Sequence, residues 1–349
     1  MKILAIDTSC DETSASVVIG RRVLSHVEYS QVLMYKDWGG VVPSIAKRAH
    51  QERIDWVIER ALKISKVGKL ESIDAVAVTY GPGLAIALEV GILKAQEIAK
   101  KYKIPLIAVN HMEGHLYSPF VQNSKGNPKR DFSFPYIGLL VSGGHTEMVL
   151  FSDILHYEII GETLDDAAGE ALDKAARILG FGYPGGPIIE RLSKEVNNED
   201  AYQFPRPMRS SKIFDFSFSG LKTALLYKVK SLSEKEKNSQ INFLASSFQE
   251  AVFDSLVNKT KFAMRKWEIK NILLGGGVAV NQRLRIKLKK MVNLEGGSVK
   301  FPTYKYLNFD NAAMIGYVGY IRAKRKIFVK NISKLERIPR LSLLQSTLK

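Results

Sequence analysis

The stretch Lys2-Ile3-Leu4-Ala5-Ile6-Asp7-Thr8-Ser9-Cys10-Asp11-Glu12-Thr13-Ser14-Ala15-Ser16-Val17-Val18-Ile19-Gly20 sets the frame of the chain. An apolar run ends at Asp7, a turn of hydroxyls and carboxylates follows, and a second apolar run begins near Ser16. This predicts a β-hairpin without the usual Asn-Gly turn. Hydroxyls and carboxylates so placed suit contact with a phosphate and its cation. The pattern returns at Tyr136-Ile137-Gly138-Leu139-Leu140-Val141, Ser142-Gly143-Gly144-His145-Thr146 and Glu147-Met148-Val149-Leu150-Phe151, with a glycine pair where the first turn has acids.

Working outward from the two hairpins, further segments correspond. Residues 73–79 read as a buried strand, followed by Tyr80-Gly81-Pro82-Gly83 and a helix over about 84–101. Residues 270–274, Gly275-Gly276-Gly277 and a helix over about 280–291 repeat that order. A strand, a glycine turn and a helix start together present free backbone N–H groups to an anion, although Gly-Pro-Gly alone is weak support. A strand at 104–109 runs into His111, just as a short strand at 297–301 runs toward a helix start at 309–314. Three correspondences in one order predict a duplicated α/β fold. Its first half covers 1–121, and the closing helix from the C-terminal end is free to pack there. A polar linker loop follows at 122–134, then a second half at 135–325. The tail, 326–349, has little periodicity and is expected to be loosely held.

Within the first half, residues 41–65 take helical spacing, with Ile54, Val57, Ile58, Ala61 and Leu62 on one face. An insertion at 160–265 has no counterpart in the first half. It opens with a predicted helix whose Asp166, Glu170 and Asp173 share a face. Acids at a helix start oppose its dipole, but like charges at that spacing repel unless a ligand or cation uses them. Tyr183-Pro184-Gly185-Gly186-Pro187 reads as a rigid turn, while 217–223 and a helix at 241–263 read as packing and surface.

His111-Met112-Glu113-Gly114-His115 carries two imidazoles four positions apart. On a helix the two rings stand one above the other and can reach one metal ion. The protease pattern His-Glu-x-x-His is absent, because Glu113 sits in the middle of the pair. Two structural histidines spaced by chance fit the same residues. If the halves pack about a pseudo-twofold axis, Asp310 of the second comes opposite this pair and completes a His-His-carboxylate set. Asp310 equally suits an N-cap for the helix that follows.

Composition bounds the rest. A chain of 349 residues is long for one core, and 46% hydrophobic with 25% charged residues is an ordinary soluble balance. No apolar run approaches the roughly 20 residues of a membrane helix, and no targeting pattern opens the sequence, so a cytoplasmic location is expected. Cys10 is the single cysteine, which excludes an intrachain disulfide and a thiolate metal cage. Ligands from His, Asp, Glu or Tyr suit iron or zinc with open positions. The net charge of +16 is uneven: residues 1–199 hold 22 Lys+Arg against 25 Asp+Glu, and residues 200–349 hold 29 against 10. Clusters at 206–212, 259–270, 283–290 and 322–330 fit either a phosphate-backbone footprint or basic drift on exposed helix faces.

Eight ordered motifs resemble one family. They are Asp7-Thr8-Ser9-Cys10-Asp11-Glu12-Thr13, Gly39-Gly40-Val41-Val42-Pro43, Gly81-Pro82-Gly83-Leu84, His111-Met112-Glu113-Gly114-His115, Val141-Ser142-Gly143-Gly144-His145-Thr146, Asp165-Asp166-Ala167-Ala168-Gly169-Glu170, Tyr183-Pro184-Gly185-Gly186-Pro187 and Asp215-Phe216-Ser217-Phe218-Ser219-Gly220-Leu221-Lys222-Thr223. Together they resemble the TsaD family, the tRNA adenosine threonylcarbamoyltransferases. The resemblance implies an actin-like, sugar-kinase-like (ASKHA) fold of two similar halves with a central cleft and a helical insertion in the second half. It implies an acyltransferase that moves threonylcarbamoyl from threonylcarbamoyl-adenylate to the exocyclic amine of the adenosine 3′ of the anticodon, in tRNAs reading codons that start with A. It makes His111, His115 and Asp310 ligands of one metal, iron(II), with zinc as the substitute. It assigns the adenylate to Leu140, Val141, Ser142, Gly143, Gly144, Asp173, Gly186 and Asn281, and puts Asp7, Asp11 and Glu12 at the phosphate end. Asp11 or Glu12 is then the expected acceptor of the amine proton, and backbone N–H groups of 142–144 the expected cradle for the leaving phosphate. It also implies a TsaB-like paralogue and a TsaE-like ATPase as partners. The chain departs from the family in two places. Leu140 stands where archaeal relatives have a ligating Tyr, and Phe309 stands where a Thr usually precedes the Asp-Asn pair.

Other readings of the same residues remain. A metalloprotease would use the His pair but needs a positioned Glu. A small-metabolite kinase shares the fold and has no use for the pair. A nucleotide-gated chaperone or scaffold would bind without transferring.

Overall fold

In the computed structural model, residues 1–38, 42–207 and 213–347 are described. The motif residues 39–41 and the basic residues 208–212 lie outside them. Two compact units divide the chain: Met1–Phe132 with Pro302–Lys349, and Ser133–Phe301.

The first unit holds strands β1 (Lys2–Asp7), β2 (Glu12–Ile19), β3 (Arg22–Ser30), β4 (Ala75–Gly81) and β5 (Leu106–Asn110) in the order β3-β2-β1-β4-β5. Its helices are α1 (Pro43–Ile64), α2 (Ala85–Tyr102) and α3 (His111–Tyr117). The second unit holds β6 (Tyr136–Val141), β7 (Thr146–Asp153), β8 (His156–Glu162), β9 (Asn271–Gly275) and β10 (Ser298–Lys300) in the order β10-β9-β6-β7-β8. Its helices are α4 (Ala168–Ile178), α5 (Gly185–Glu195), α6 (Ser219–Lys230), α7 (Glu234–Trp267) and α8 (Gln282–Leu294). Replacing each strand of the first sheet by the one five places later in the chain reproduces the second. In each sheet a hairpin precedes two strands added in parallel. The duplicated hairpins therefore mark a duplicated α/β fold.

Alternation places the layers. In β6, Ile137, Leu139 and Val141 face a core shared with Leu172 of α4 and Phe248 and Val252 of α7. In β1, Leu4 and Ile6 face Ile54, Val57, Ile58, Ala61 and Leu62, the apolar stripe of α1. The remaining face of the first sheet is covered by α9 (Ala312–Lys324). That contact is close: a Cβ on Gly316 would stand 2.8 Å from Val18 Cγ2 and 3.1 Å from Ala5 Cβ. The second unit thus ends at Phe301 and not at 325, and Asp310 belongs to the same unit as the His pair. The expectation that it approaches from the opposite half is corrected.

Three further expectations differ from the structure. The tail is fastened: Ile338 N–H donates to Tyr80 O at 2.8 Å, Gly83 N–H to Pro339 O at 3.1 Å, and Leu341 and Leu343 are buried. Its bonding is main-chain and long-range, so it leaves no periodic signal. In the acid face at 166–173, Asp166 and Glu170 are spent internally. Asp166 precedes α4 and pairs with Lys174 at 2.6 Å and Lys222 at 3.1 Å, and Glu170 pairs with Lys174 at 2.8 Å. Asp173 Oδ1 accepts from the N–H groups of Gly185 and Gly186 at 2.8 and 3.1 Å. Finally, α7 starts at Glu234, well before 241, because Ser233 and Glu236 form a reciprocal capping box.

Candidate metal centre

Strand β5 delivers Asn110, whose side chain accepts from Met112 N–H at 2.8 Å and starts α3 there. The cap fixes His111 and His115 on one helical face. On the other side of the site, Asn311 caps α9 by accepting from Met314 N–H at 2.9 Å. The capping role open to Asp310 is therefore taken by its neighbour, and the Asp310 carboxylate is free to face the imidazoles. Its Oδ1 lies 3.1 Å from His111 Nε2 and 3.4 Å from His115 Nε2. The two rings meet edge to face with centroids 4.7 Å apart. One ligand atom from each residue falls within 4.8 Å of the others.

These groups fit a cation. His111 Nδ1, both ring nitrogens of His115, and Asp7 Oδ2 are buried without a hydrogen-bond partner. Buried polar atoms are rarely left so, and a ligand is one way to satisfy them. Burial opposes a charge on His111, but the Asp310 carboxylate beside it outweighs this and lifts the imidazole to about 9. Burial likewise opposes ionisation of Asp310, and the His111 charge overcomes it, holding the carboxyl well below its usual range. His115 is pushed down by burial. A neutral His, a carboxylate and a second His that must lose one proton form the facial set that suits iron(II) or zinc with open positions. The thiol of Cys10 is pushed well up by burial and by Asp11, so it stays a neutral bystander.

Asp7, at the end of β1, was placed by resemblance at the phosphate end. Its Oδ2 lies 3.7 Å from His111 Nδ1, on the side of the ring away from Asp310. Carboxylates commonly orient a ligating imidazole from that side. Asp11 and Glu12 lead into β2. Burial pushes both carboxyls up, and Asp11 adds to the rise at Glu12, which stands well above its ordinary value. Glu12 Oε1 accepts from the Ser30 hydroxyl at 3.3 Å. Glu113 is fully buried and its carboxylate meets Arg322 Nη2 at 2.8 and 2.9 Å, so this Glu does not stand ready as a protease base.

In the second unit, Leu140 and Val141 are buried in β6. Ser142 N–H donates to His145 O at 2.8 Å and is closed inside the turn, so it does not belong to the expected phosphate cradle. Among the described residues the N–H groups of Gly143 and Gly144 have no protein partner, and a Cβ on either would meet open space. A Cβ on Gly186 would also meet open space. Asn281 is engaged at both ends of its amide, capping α8 through Arg283 N–H at 2.9 Å and donating to Gln249 Oε1 at 2.9 Å. Several cations of the basic clusters are also paired: Arg206 with Asp254, Arg265 with Glu295, and Arg283 and Lys287 with Glu250.

A model of the TsaD family, tRNA N6-adenosine threonylcarbamoyltransferase, matches residues 22–317. The chain belongs to this family. Threonylcarbamoyltransferases of the same description include those of Caldicellulosiruptor saccharolyticus, 45% identical over 92% of this chain and 93% of that one, and Thermosipho africanus, 43% identical over 98% and 100%. Membership in the threonylcarbamoyltransferases makes the chain a transferase that modifies tRNA. Among solved structures, HypF from T. kodakarensis aligns with a TM-score of 0.60 at 14% identity, over 93% of this chain and 48% of that one. The activator of the 2-hydroxyisocaproyl-CoA dehydratase from Clostridium difficile, with bound ADPNP, aligns at 0.52 and 13% identity, over 95% and 99%. At such identities the likeness is one of fold, and it agrees with the duplicated actin-like architecture of this threonylcarbamoyltransferase family member. Among the described residues no helix is long and apolar enough to cross a membrane.

Proposed function

We propose that the chain transfers threonylcarbamoyl from threonylcarbamoyl-adenylate to the exocyclic amine of the adenosine 3′ of the anticodon, in tRNAs reading codons that start with A, with one metal ion held by His111, His115 and Asp310. The observation that carries the metal reading is the convergence of those three groups, two of them imidazoles with buried, unpartnered nitrogens. Bound there, iron(II), or zinc in its place, would supply Lewis-acid polarisation of the carbamoyl carbonyl.

The remaining steps fall to the chain's own residues. The adenosine amine attacks the carbamoyl carbon, the bond from that carbon to the phosphate oxygen breaks, and AMP leaves. Asp11 accepts the amine proton, beside Glu12, whose carboxyl burial pushes well above its ordinary value. The N–H groups of Gly143 and Gly144 receive the departing phosphate, as backbone nests do. Asp173, whose Oδ1 is held by Gly185 and Gly186, offers its other oxygen to a substrate hydroxyl. A TsaB-like paralogue and a TsaE-like ATPase complete the system, on the strength of the family resemblance.

Transcript tRNA incubated with the chain, the adenylate, these partners and iron(II) tests the proposal by mass analysis of its nucleosides. Threonylcarbamoyladenosine is expected, and its loss on chelation. Absence of the product under every metal condition favours a scaffold, and full activity after exhaustive chelation removes the metal from the account.

A further inference from the structure

Glu113 stands between the two histidines in sequence yet points away from them, since two helical positions are about 200° of rotation. Its carboxylate is met by Arg322 of α9, with Nη2 at 2.8 and 2.9 Å and Nε at 3.3 Å. Both side chains are buried. All seven residues of α3 are buried, and a helix that short does not hold its own orientation. It touches α9 at Gly114, where a Cβ would stand 2.8 Å from Met314 Cγ. A Cβ there would also stand 3.1 Å from Ile315 Cδ1, and Tyr117 meets Tyr317 of α9 edge to face with centroids 5.9 Å apart, so the two helices share an apolar seam. Arg322 lies eight residues beyond Met314, about 12 Å along α9 at the helical rise, and the ion pair there adds a charged tie at the far end of that seam.

We propose that Glu113 and Arg322 are positioning residues for the metal centre: their ion pair sets the angle of α3 against α9. That angle fixes the separation between the His111 and His115 nitrogens on one helix and the Asp310 carboxylate ahead of the other. The inference rests on the reading of those three residues as metal ligands. An apolar pair of similar volume would fill the same space, but only the charge-assisted fork is directional.

Cobalt(II), titrated into the full chain and followed by its visible ligand-field bands, tests this alongside thermal unfolding. Wild type is expected to bind one cobalt, and His115→Ala none. Glu113→Gln binds roughly tenfold or more weakly, with displaced bands, as loss of outer-shell support does. The paired change Glu113→Met with Arg322→Met regains the wild-type unfolding midpoint without regaining the affinity or the bands, and it decides the matter alone if Glu113→Gln does not fold. Wild-type affinity and bands in the paired variant overturn the inference while the metal reading stands. Unchanged cobalt binding by His115→Ala overturns the metal reading, and the positioning role with it.

Discussion

Lowering the pH from 8.5 to 6.5 is expected to weaken metal binding by roughly 100-fold. A ligating imidazole must be neutral, and Asp310 holds the His111 imidazole protonated up to about 9. Over that whole interval a metal must displace one proton, so each pH unit costs about tenfold, or roughly 2.7 kcal/mol across two units. The other two ligands add nothing to the slope. His115 is pushed down by burial and Asp310 lies well below its usual range, so both are ready to bind throughout. The assay is competition for zinc against a chromophoric chelator whose own protonation is known. It is paired with calorimetry in buffers of different ionisation enthalpy, which counts protons released. One proton per metal is expected near pH 7.5. Asp310→Asn removes the charge that raises His111, so its weaker binding should lose most of this pH dependence. Affinity that is flat between pH 6.5 and 8.5, or release of two protons, would refute the reasoning.

The same pair governs the metal-free protein. A group raised from 6.5 to about 9 on folding contributes stability that is complete below 6.5 and lost as pH rises through 9. The metal-free unfolding temperature should therefore fall between pH 6.5 and 9, and saturating zinc should remove most of that fall. At the proposed base, Asp11→Asn should lower single-turnover transfer by about 10²–10⁴-fold with the adenylate still bound, and Glu12→Gln should cost less; equal, small losses would reassign the proton acceptor. Truncation after Lys330 removes buried Leu341 and Leu343, each worth about 1.5–3 kcal/mol. It also removes the Ser342 carbonyl that Asn110 Nδ2 reaches at 3.1 Å. A clear drop in unfolding midpoint is expected, and an unmoved midpoint would show that the strap contributes nothing.

Where local pattern decides the structure, the sequence was readable. The hairpins at 2–19 and 136–151 and the glycine turns that follow revealed the duplication, because strand alternation and turn chemistry are local. The His pair was legible for the same reason, since helical spacing alone puts both rings on one face. What escaped depends on distant contacts. Asp310 joins the first unit because α9 packs on β1 and β2 through Gly316, a close approach that no nearby residue announces. Glu113 finds Arg322 across 209 positions of sequence. The acid face at 166–173 is not one helical face, because α4 begins at Ala168 and leaves Asp165 and Asp166 ahead of it. Asp165 there receives Phe218 N–H at 2.7 Å, and Asp166 takes two lysines. Asp7 could have been suspected as the partner of His111, since β1 and β4 are adjacent parallel strands and β5 follows β4 in the sheet.

The central claim is that a metal held by His111, His115 and Asp310 serves transfer to tRNA. The most direct test is the reconstituted reaction run with wild type and His111→Ala, reading threonylcarbamoyladenosine in transcript tRNA against bound metal in the same samples. Product is expected with wild type, and loss of both metal and product in the variant while its fold persists. A His111→Ala protein that makes the modified adenosine at the wild-type rate would contradict it.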